Sequence, residues 1–286
     1  MDIEQARTFL AIAAHGSFLE AANRLHVTQS TVSARMQNLE ADLGARLFVR
    51  NRAGATLTPA GRRFLHHAKT LVLTVEQARH DVGLPSRYRA SVRIGGRIAL
   101  WEGFLPRWVG WMRQAAADVS IRCEIGFEDD LMRRLIEGTL DIGLMYTPSH
   151  APGLVVEHLF DEMLVLVSSR RETQWPDDDY IYVDWGPGFY AKHRESYPDL
   201  GRPPQVVNIG WLGVQLILAN GGSCFLPIRM AQPLIDNGRL FTVTEGPELR
   251  HPAYMVFPRE ADSDVLRLAL HGLRELGSEV QGPEES

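Results

Sequence analysis

Gln29, Ser30, Thr31, Ser33 and Arg35 lie within seven residues of one another and carry the groups that read a base edge. A glutamine amide matches the donor–acceptor pattern of adenine, and an arginine fork matches guanine. Hydroxyls bond bases or phosphates, and Ser30 or Thr31 can also approach a thymine methyl. Such chemistry works only if a rigid element holds these side chains outward together, so the surrounding sequence must supply that element.

It does so through helical periodicity. Apolar Ala6, Phe9, Leu10 and Ala13 form one face of a helix over residues 4–14, and His15-Gly16 stops it. Ser17 is a credible N-cap, with Glu20 three residues on completing a capping box for a second helix, about 18–25, rich in Ala21 and Ala22. His26-Val27 turns the chain, Thr28 caps, and a third helix over 29–43 buries Val32, Met36, Leu39 and Leu43 before Gly44 ends it. Two helices about a tight turn, the second with a polar N-terminal face, predict a helix-turn-helix whose second helix enters the major groove.

Basic residues continue the pattern. Leu47–Val49 and Ala55–Leu57 read as short paired strands, a wing carrying Arg50 and Arg52, with Leu47 and Phe48 plugging the core. Thr28, Arg46, Arg50 and Arg52 are candidates for the phosphate backbone or minor groove. Thr58-Pro59 then opens a long helix. Its apolar positions Phe64, Ala68, Leu71, Val75 and Ala78 alternate steps of four and three, a seam that suits either a partner helix or the chain's own later domain.

Charge follows the same division. The 286 residues carry 30 Lys and Arg against 35 Asp and Glu, a net charge of -5. Residues 1–90 hold 12 basic against 7 acidic, or +5, so the remainder holds 18 against 28, or -10. A basic segment attached to an acidic one permits DNA binding by the first. The opening MDIEQARTF lacks a basic, then apolar, leader, and no apolar run reaches spanning length, so a cytoplasmic protein with no membrane partner is expected.

After Gly83–Ser86 the texture changes. Strands over 90–94, 119–125 and 140–145 alternate with helices over 100–116, where Pro106 marks a restart, and 129–137; Gly95-Gly96 reads as a turn. This order predicts a parallel sheet covered by helices. Further strands fall at 163–168, 180–183, 224–226 and 254–257, with helices at 210–220 and 262–276 and a frayed ten-residue tail. Ligands in such folds favour the carboxyl ends of strands. That rule selects the loops at 95–98, 127–128, 146–148, 184–188 and 226–229, with Gly96, Arg97, Ile98, Phe127, Glu128, Tyr146, Thr147, Trp185 and Pro227 as ligand candidates and Trp101 as a further aromatic. Arg97 either holds an anion with the free N–H groups of the following helix or is a surface arginine.

Other chemistry finds no support. GSC at 222–224 lacks the second glycine of a nucleophile elbow, no glycine-rich run ends in GK[ST], and His66-His67 has no further ligand at metal spacing. No catalytic residue, metal or cofactor is expected, and Cys123 and Cys224 read as buried thiols.

The chain resembles the LysR-type bacterial transcriptional regulators. The resemblance rests on Ala21-Ala22, Leu25, Thr28-Gln29-Ser30, Val32-Ser33, Leu39-Glu40, Leu43-Gly44, Leu47-Phe48, Arg50 and Leu57-Thr58-Pro59-Ala60-Gly61. It implies a winged helix-turn-helix domain over 1–58 and a linker and dimerisation helix over 59–88. A periplasmic-binding-protein-like α/β effector domain over 89–286 would follow, with subdomain I at 90–161 and 262–286 and subdomain II at 162–261. The crossings between the halves would fall near Asp161-Glu162 and Phe257-Pro258. The family's first inducer loop maps to Gly96–Leu100, adding Leu100. Here that segment is GGRIALW, without the Ser or Thr many relatives carry, so Arg97 would have to substitute.

The implied function is a sequence-specific regulator answering a small organic effector, an organic acid or aromatic compound. Its DNA would be an interrupted inverted repeat, its assembly a dimer or tetramer, and RNA polymerase a further partner. Two other classes stay open: an α/β binding protein or enzyme whose N-terminal unit serves assembly, and a nucleoid-associated architectural protein.

Overall fold

A computed structural model of the protein describes residues 1–51, 54–198, 200–243, 249–260 and 263–281; the side chains at 50, 51, 73, 76, 77, 80, 81 and 281 are not described. Two compact units form, the first comprising Met1–Pro85 and Glu137–Thr139 and the second Ser86–Ile136 and the chain from Leu140 onward.

In the first unit, helices α1 (Ile3–His15), α2 (Phe18–Leu25) and α3 (Gln29–Leu43) lead into strands β1 (Phe48–Asn51) and β2 (Gly54–Leu57) and helix α4 (Pro59–Val82). Ser17 caps α2, its Oγ accepting from the Glu20 amide at 3.3 Å. The reciprocal capping box expected there forms at α1 instead, where Asp2 and Gln5 each accept from the other's amide, at 2.7 and 3.0 Å. His26 closes α2 in the left-handed region at φ 54°, and the Val27 amide donates to Ala22 O at 3.1 Å. That bend sets α3 across α2 over the buried Ala21 and Ala22, whose small side chains admit close approach.

Phe9 sits at the centre of this core. Its ring lies 5.1 Å from Phe48 on the wing and 5.0 Å, edge-on, from Phe64 on α4. Val32, Met36 and Leu39 of α3 are buried around it, as are Leu47 and Phe48. Leu43, expected to join them, is 40% exposed because it ends the helix beyond the last residue the core covers. Glu40 ties helix to wing: its Oε1 accepts from the amides of Leu47 at 2.7 Å and Phe48 at 3.3 Å. β1 and β2 then pair antiparallel from Phe48 opposite Leu57 to Asn51 opposite Gly54. The start of α4 presses so closely on Leu47 that a Cβ on Gly61 would lie 2.2 Å from its carbonyl oxygen.

The second unit opens with β3 (Ala90–Gly96), α5 (Ile98–Trp101), α6 (Leu105–Ala115), β4 (Val119–Ile125), α7 (Glu128–Ile136) and β5 (Ile142–Met145). β3 runs parallel to both β4 and β5, as the alternating pattern predicts. Gly95 and Gly96 do not turn; they finish β3. A Cβ at Gly95 would meet Leu131 Cδ2 at 2.6 Å, so this glycine serves the close approach of α7. Cys123, expected to be buried, is exposed because β4 is the edge strand, whereas Cys224 is fully buried.

The chain continues through β6 (Leu154–Ser168), β7 (Ile181–Val183), α8 (Pro187–Ser196), β8 (Gln205–Val207), α9 (Gly210–Asn220), β9 (Ser223–Pro227), α10 (Ile228–Asp236), β10 (Phe241–Thr242), β11 (Leu249–Pro258) and α11 (Asp264–Gln281). All of β11 pairs antiparallel with residues 154–164 of β6, and β11 also pairs with β5 from Tyr254 to Val256. The β11–β6 register slips between Ala253 and Tyr254, a bulge inside a pairing that continues to Pro258 opposite Leu154. Both long strands exceed the expected segments, α8 and α10 were not foreseen, and α11 carries helix through residues 277–281 of the expected tail. α11 packs back on α6, where the buried Trp108 Nε1 donates to Ala269 O at 2.9 Å.

Replacing Glu40 by alanine strands two amides, so the first unit should lose roughly 1–3 kcal/mol. Chemical denaturation should show a lower midpoint at unchanged slope, while Asn38→Ala on the exposed side leaves it in place. A midpoint unmoved by Glu40→Ala would show that the tie carries no stability.

Candidate DNA interface and ligand cleft

The apolar side of α3 is spent on the core, which leaves the polar side outward. Gln29 and Ser30 are exposed, and Thr31 and Ser33 are half-buried. Thr28 Oγ1 accepts from the Thr31 amide at 3.2 Å and bonds both Ser30 Oγ and Thr31 Oγ1 at 2.8 Å, a hydroxyl cluster at the helix's start. Gln29, Ser33 and Gln37 recur at intervals of four along one edge. Gln37, exposed, was missed although the same interval reaches it.

Arg35 does not join that edge. Its guanidinium turns back toward α1, 3.3 Å from Glu4 Oε2 and 3.4 Å from Thr8 Oγ1, because position 35 faces away from the Gln29 stripe. It is a brace between helices. Arg46 is exposed at the foot of the wing. Arg50 lies in β1 opposite Ala55, and its side chain and the whole of Arg52 fall outside the described residues.

The linker seam divides in two. Phe64 and Ala68 are buried in the chain's own first core, so neither is available to a partner helix. Leu71 and Ala78 are exposed and Val75 half-buried, leaving the distal part of the seam open.

In the second unit a cleft of about 370 Å³ opens between the two groups of strand ends. Arg97, Phe127, Glu128, Thr147 and Trp185 line it, as the strand-end rule anticipates, and Asp129, Asp184, Gly186, Pro187 and Asn208 complete it. Six expected residues lie off its lining. Gly96 faces Leu105. Leu100 is core, Pro227 is a buried strand residue, and Ile98 begins α5 outside the lining. The Trp101 indole donates to Glu124 O at 2.9 Å. Tyr146, fully enclosed, donates to Glu162 Oε1 at 3.2 Å.

Arg97 is neither a surface residue nor a free anion clamp. Only 9% exposed, it stacks 4.4 Å over the Phe127 ring, donates to Asn208 O at 3.3 Å and lies 3.4 Å from Glu128 Oε1. Its buried Nε has that ion pair but no hydrogen bond. The four-residue α5 that follows is too short to supply a strong dipole.

Beneath the cleft is a buried polar group in which Tyr146 and Arg229, both at strand ends the sequence selects, meet Glu162 and His251. Arg229 of α10 pairs with Glu162 of β6 and donates to the carbonyls of Ala99, at 3.1 Å, and Glu102. Burial, reinforced by the Glu162 carboxylate, pushes the Tyr146 hydroxyl well above its ordinary range. His251, opposite Glu162 in β11 and 4.5 Å from the Tyr146 ring, has no hydrogen-bond partner at Nε2 among the described residues. Burial, with Lys192 and Arg97 adding and Asp161 opposing, lowers its pKa to about 4. Only the tertiary fold brings these four residues together.

A winged helix-turn-helix followed by a ligand cleft in an α/β unit defines a ligand-responsive DNA-binding regulator. The comparisons agree in both parts. Residues 3–62 match the family model described as a bacterial regulatory helix-turn-helix protein of the lysR family, and residues 86–277 match the LysR substrate binding domain. The chain is 30% identical over 269 residues, 93% of its length and 95% of the relative's, to the HTH-type transcriptional regulator HdfR of Escherichia coli O139:H28. The structure of full-length CbnR with its target DNA is similar at TM-score 0.70 and 21% identity, covering 96% of this chain and 100% of that one. ArgP from Mycobacterium tuberculosis is similar at TM-score 0.61 and 23% identity, covering 97% and 98%. The chain belongs to the LysR family of transcriptional regulators, which bind DNA in a sequence-specific manner and respond to small molecules. Among the described residues, no helix is long and apolar enough to cross a membrane.

His251 sets a pH dependence for the effector unit. Unfolded histidine takes a proton near pH 6.5, whereas the folded one resists until about 4. The neutral buried ring therefore stabilises fully above pH 6.5, and that stability is lost as pH falls toward 4, by at most about 1.4 kcal/mol per pH unit. His251→Phe should flatten the slope of melting temperature against pH in this window; an unaltered slope would remove His251 as its source.

Proposed function

We propose that α3 lies in the major groove with Gln29, Ser30, Thr31, Ser33 and Gln37 toward base edges. Thr28, Arg46, Arg50 and Arg52 then hold phosphate or the adjacent minor groove. The observation that carries this is the polar edge running Gln29, Ser33, Gln37 on a helix whose opposite side is fully buried. Residues 1–58 act as the reader, 59–88 as the helix joining subunits, and 89–286 as the sensor, with halves at 90–161 plus 262–286 and at 162–261. The open distal seam at Leu71, Val75 and Ala78 supports a dimer, a pair of dimers and an interrupted inverted repeat as the operator. RNA polymerase is the further partner, the cytoplasm the compartment, and a small organic molecule in the Arg97–Trp185 cleft the effector.

Duplex binding across a salt series tests the interface. Arg46→Ala and Arg52→Ala should each reduce the slope of log affinity against log salt by about 1 with little change in preferred sequence. Gln29→Ala should leave the slope and relax sequence preference. A slope unchanged in both arginine variants would take the wing out of the interface, and no duplex binding even at low salt would restore the assembly-only reading.

Leu71→Asp tests assembly. It should release monomers or aggregates in sedimentation, and an unchanged oligomer would move the interface elsewhere.

A further inference from the structure

The second unit holds an aromatic cluster that the effector cleft does not use. Around β7 and α8 the rings of Tyr180, Tyr182, Phe189 and Tyr197 surround His193, with centroids 5.3 to 5.7 Å from its own. His193 Nε2 and the Tyr180 hydroxyl share a hydrogen bond at 2.9 Å, and burial, with Arg194 adding, lowers the histidine pKa to about 4. The ring is therefore neutral at pH 7. Beside the cluster lies a cavity of about 390 Å³, to which Tyr182, Tyr190, His193 and Tyr197 contribute aromatic surface. It shares no lining residue with the effector cleft.

The charged residues of this lining are Arg194 and Arg202, with no carboxylate beside them among the described residues. Neither guanidinium makes an ion pair or hydrogen bond with a described residue, so both are free to meet an anion. A second observation is independent of that charge. Tyr182 is only 9% exposed, and its hydroxyl is buried with no hydrogen-bond partner among the described residues, as is the hydroxyl of Tyr197. A buried hydroxyl left unpaired costs free energy that an oxygen on an occupant restores. The adjoining cavity, which also includes Tyr197 and Arg202, carries Asp177 and Asp178 and so turns an anion toward the Arg194 side.

We propose that this cavity is a second ligand site, separate from the effector cleft, for a small aromatic carboxylate that also bears a ring hydroxyl. The carboxylate lies between Arg194 and Arg202, whose planar forks match its two oxygens, and the ring packs on Tyr190 and Tyr197. The ring oxygen accepts from Tyr182. The volume stands at the small end of the range for organic ligands, which suits one substituted ring.

Calorimetric titration of the full-length protein with 4-hydroxybenzoate, benzoate, phenol and benzylamine tests this. Of these, 4-hydroxybenzoate should bind best, benzoate more weakly for want of the second oxygen, phenol weaker by tenfold or more, and benzylamine not at all. Arg194→Ala and Arg202→Ala change exposed residues outside the core and should each weaken 4-hydroxybenzoate tenfold or more. Tyr182→Phe should bring 4-hydroxybenzoate level with benzoate, and Arg97→Ala in the cleft should leave its affinity in place. No binding of 4-hydroxybenzoate, tighter binding of phenol or benzylamine, or an affinity untouched by all three cavity substitutions would overturn the second site. Binding lost in Arg97→Ala but kept in Arg194→Ala would overturn it too, by moving the acid to the effector cleft.

Discussion

Everything the first unit can do depends on how completely α3 spends its apolar side. Val32, Met36 and Leu39 disappear into a core organised by Phe9, so the remaining surface of the helix has no choice but to face out. Burying each such side chain contributes roughly 1.5–3 kcal/mol, far more than any single hydroxyl–water contact could oppose. The helix's rotation about its axis is thereby set, and with it the direction of Gln29, Ser33 and Gln37. Glu40 and Arg35 then guard that setting from two sides, one by holding the wing and the other by bracing α1.

A comparable constraint governs the effector unit. β6 and β11 pair antiparallel from Leu249 opposite Leu164 to Pro258 opposite Leu154, and β11 pairs antiparallel with β5 as well. Glu162, opposite His251 in that pairing, forms a charged pair with Arg229, which has the carbonyls of Ala99 and Glu102 as further partners. Taking such a pair out of water is costly, and breaking it by removing one partner leaves an uncompensated charge. The ion pair beneath the cleft is buried, whereas Asp129 and Asp184 on its rim are exposed. At the rim Asp129 and Asp184 make no ion pair with a described residue, and Arg97 is held down by Phe127 and Glu128.

Much of the architecture was legible because local physics decides it. The spacing of Val32, Met36 and Leu39, the caps at Ser17 and Thr28, Gly44 at the helix end and Pro59 at the next start are short-range signals, and α3 and α9 emerge with the bounds read from them. The parallel β3, β4 and β5 follow from strand–helix alternation in the same way. What resisted reading involved partners distant in the chain. Arg35 pairs with Glu4, Arg97 with Glu128, Phe64 with Phe9, and no periodicity within one element reports where another element's charge or ring will stand. The helix carrying Pro233 was hidden because an interior proline speaks against helix locally, while the packing of Met230 and Ala231 overrules it.

By itself, then, the sequence determined that this chain has a helix-turn-helix with a polar edge, a wing, a long fourth helix and an alternating α/β unit, since each of these is written in the order and period of neighbouring residues. Only the tertiary structure decided which charges are free. Arg35 and Arg97 were removed from the roles their type suggested, and Asp129 and Asp184 were left facing one cleft. The reason is that a side chain's charge is a property of the residue, whereas its neutralisation depends on which remote group the fold brings within a few ångströms.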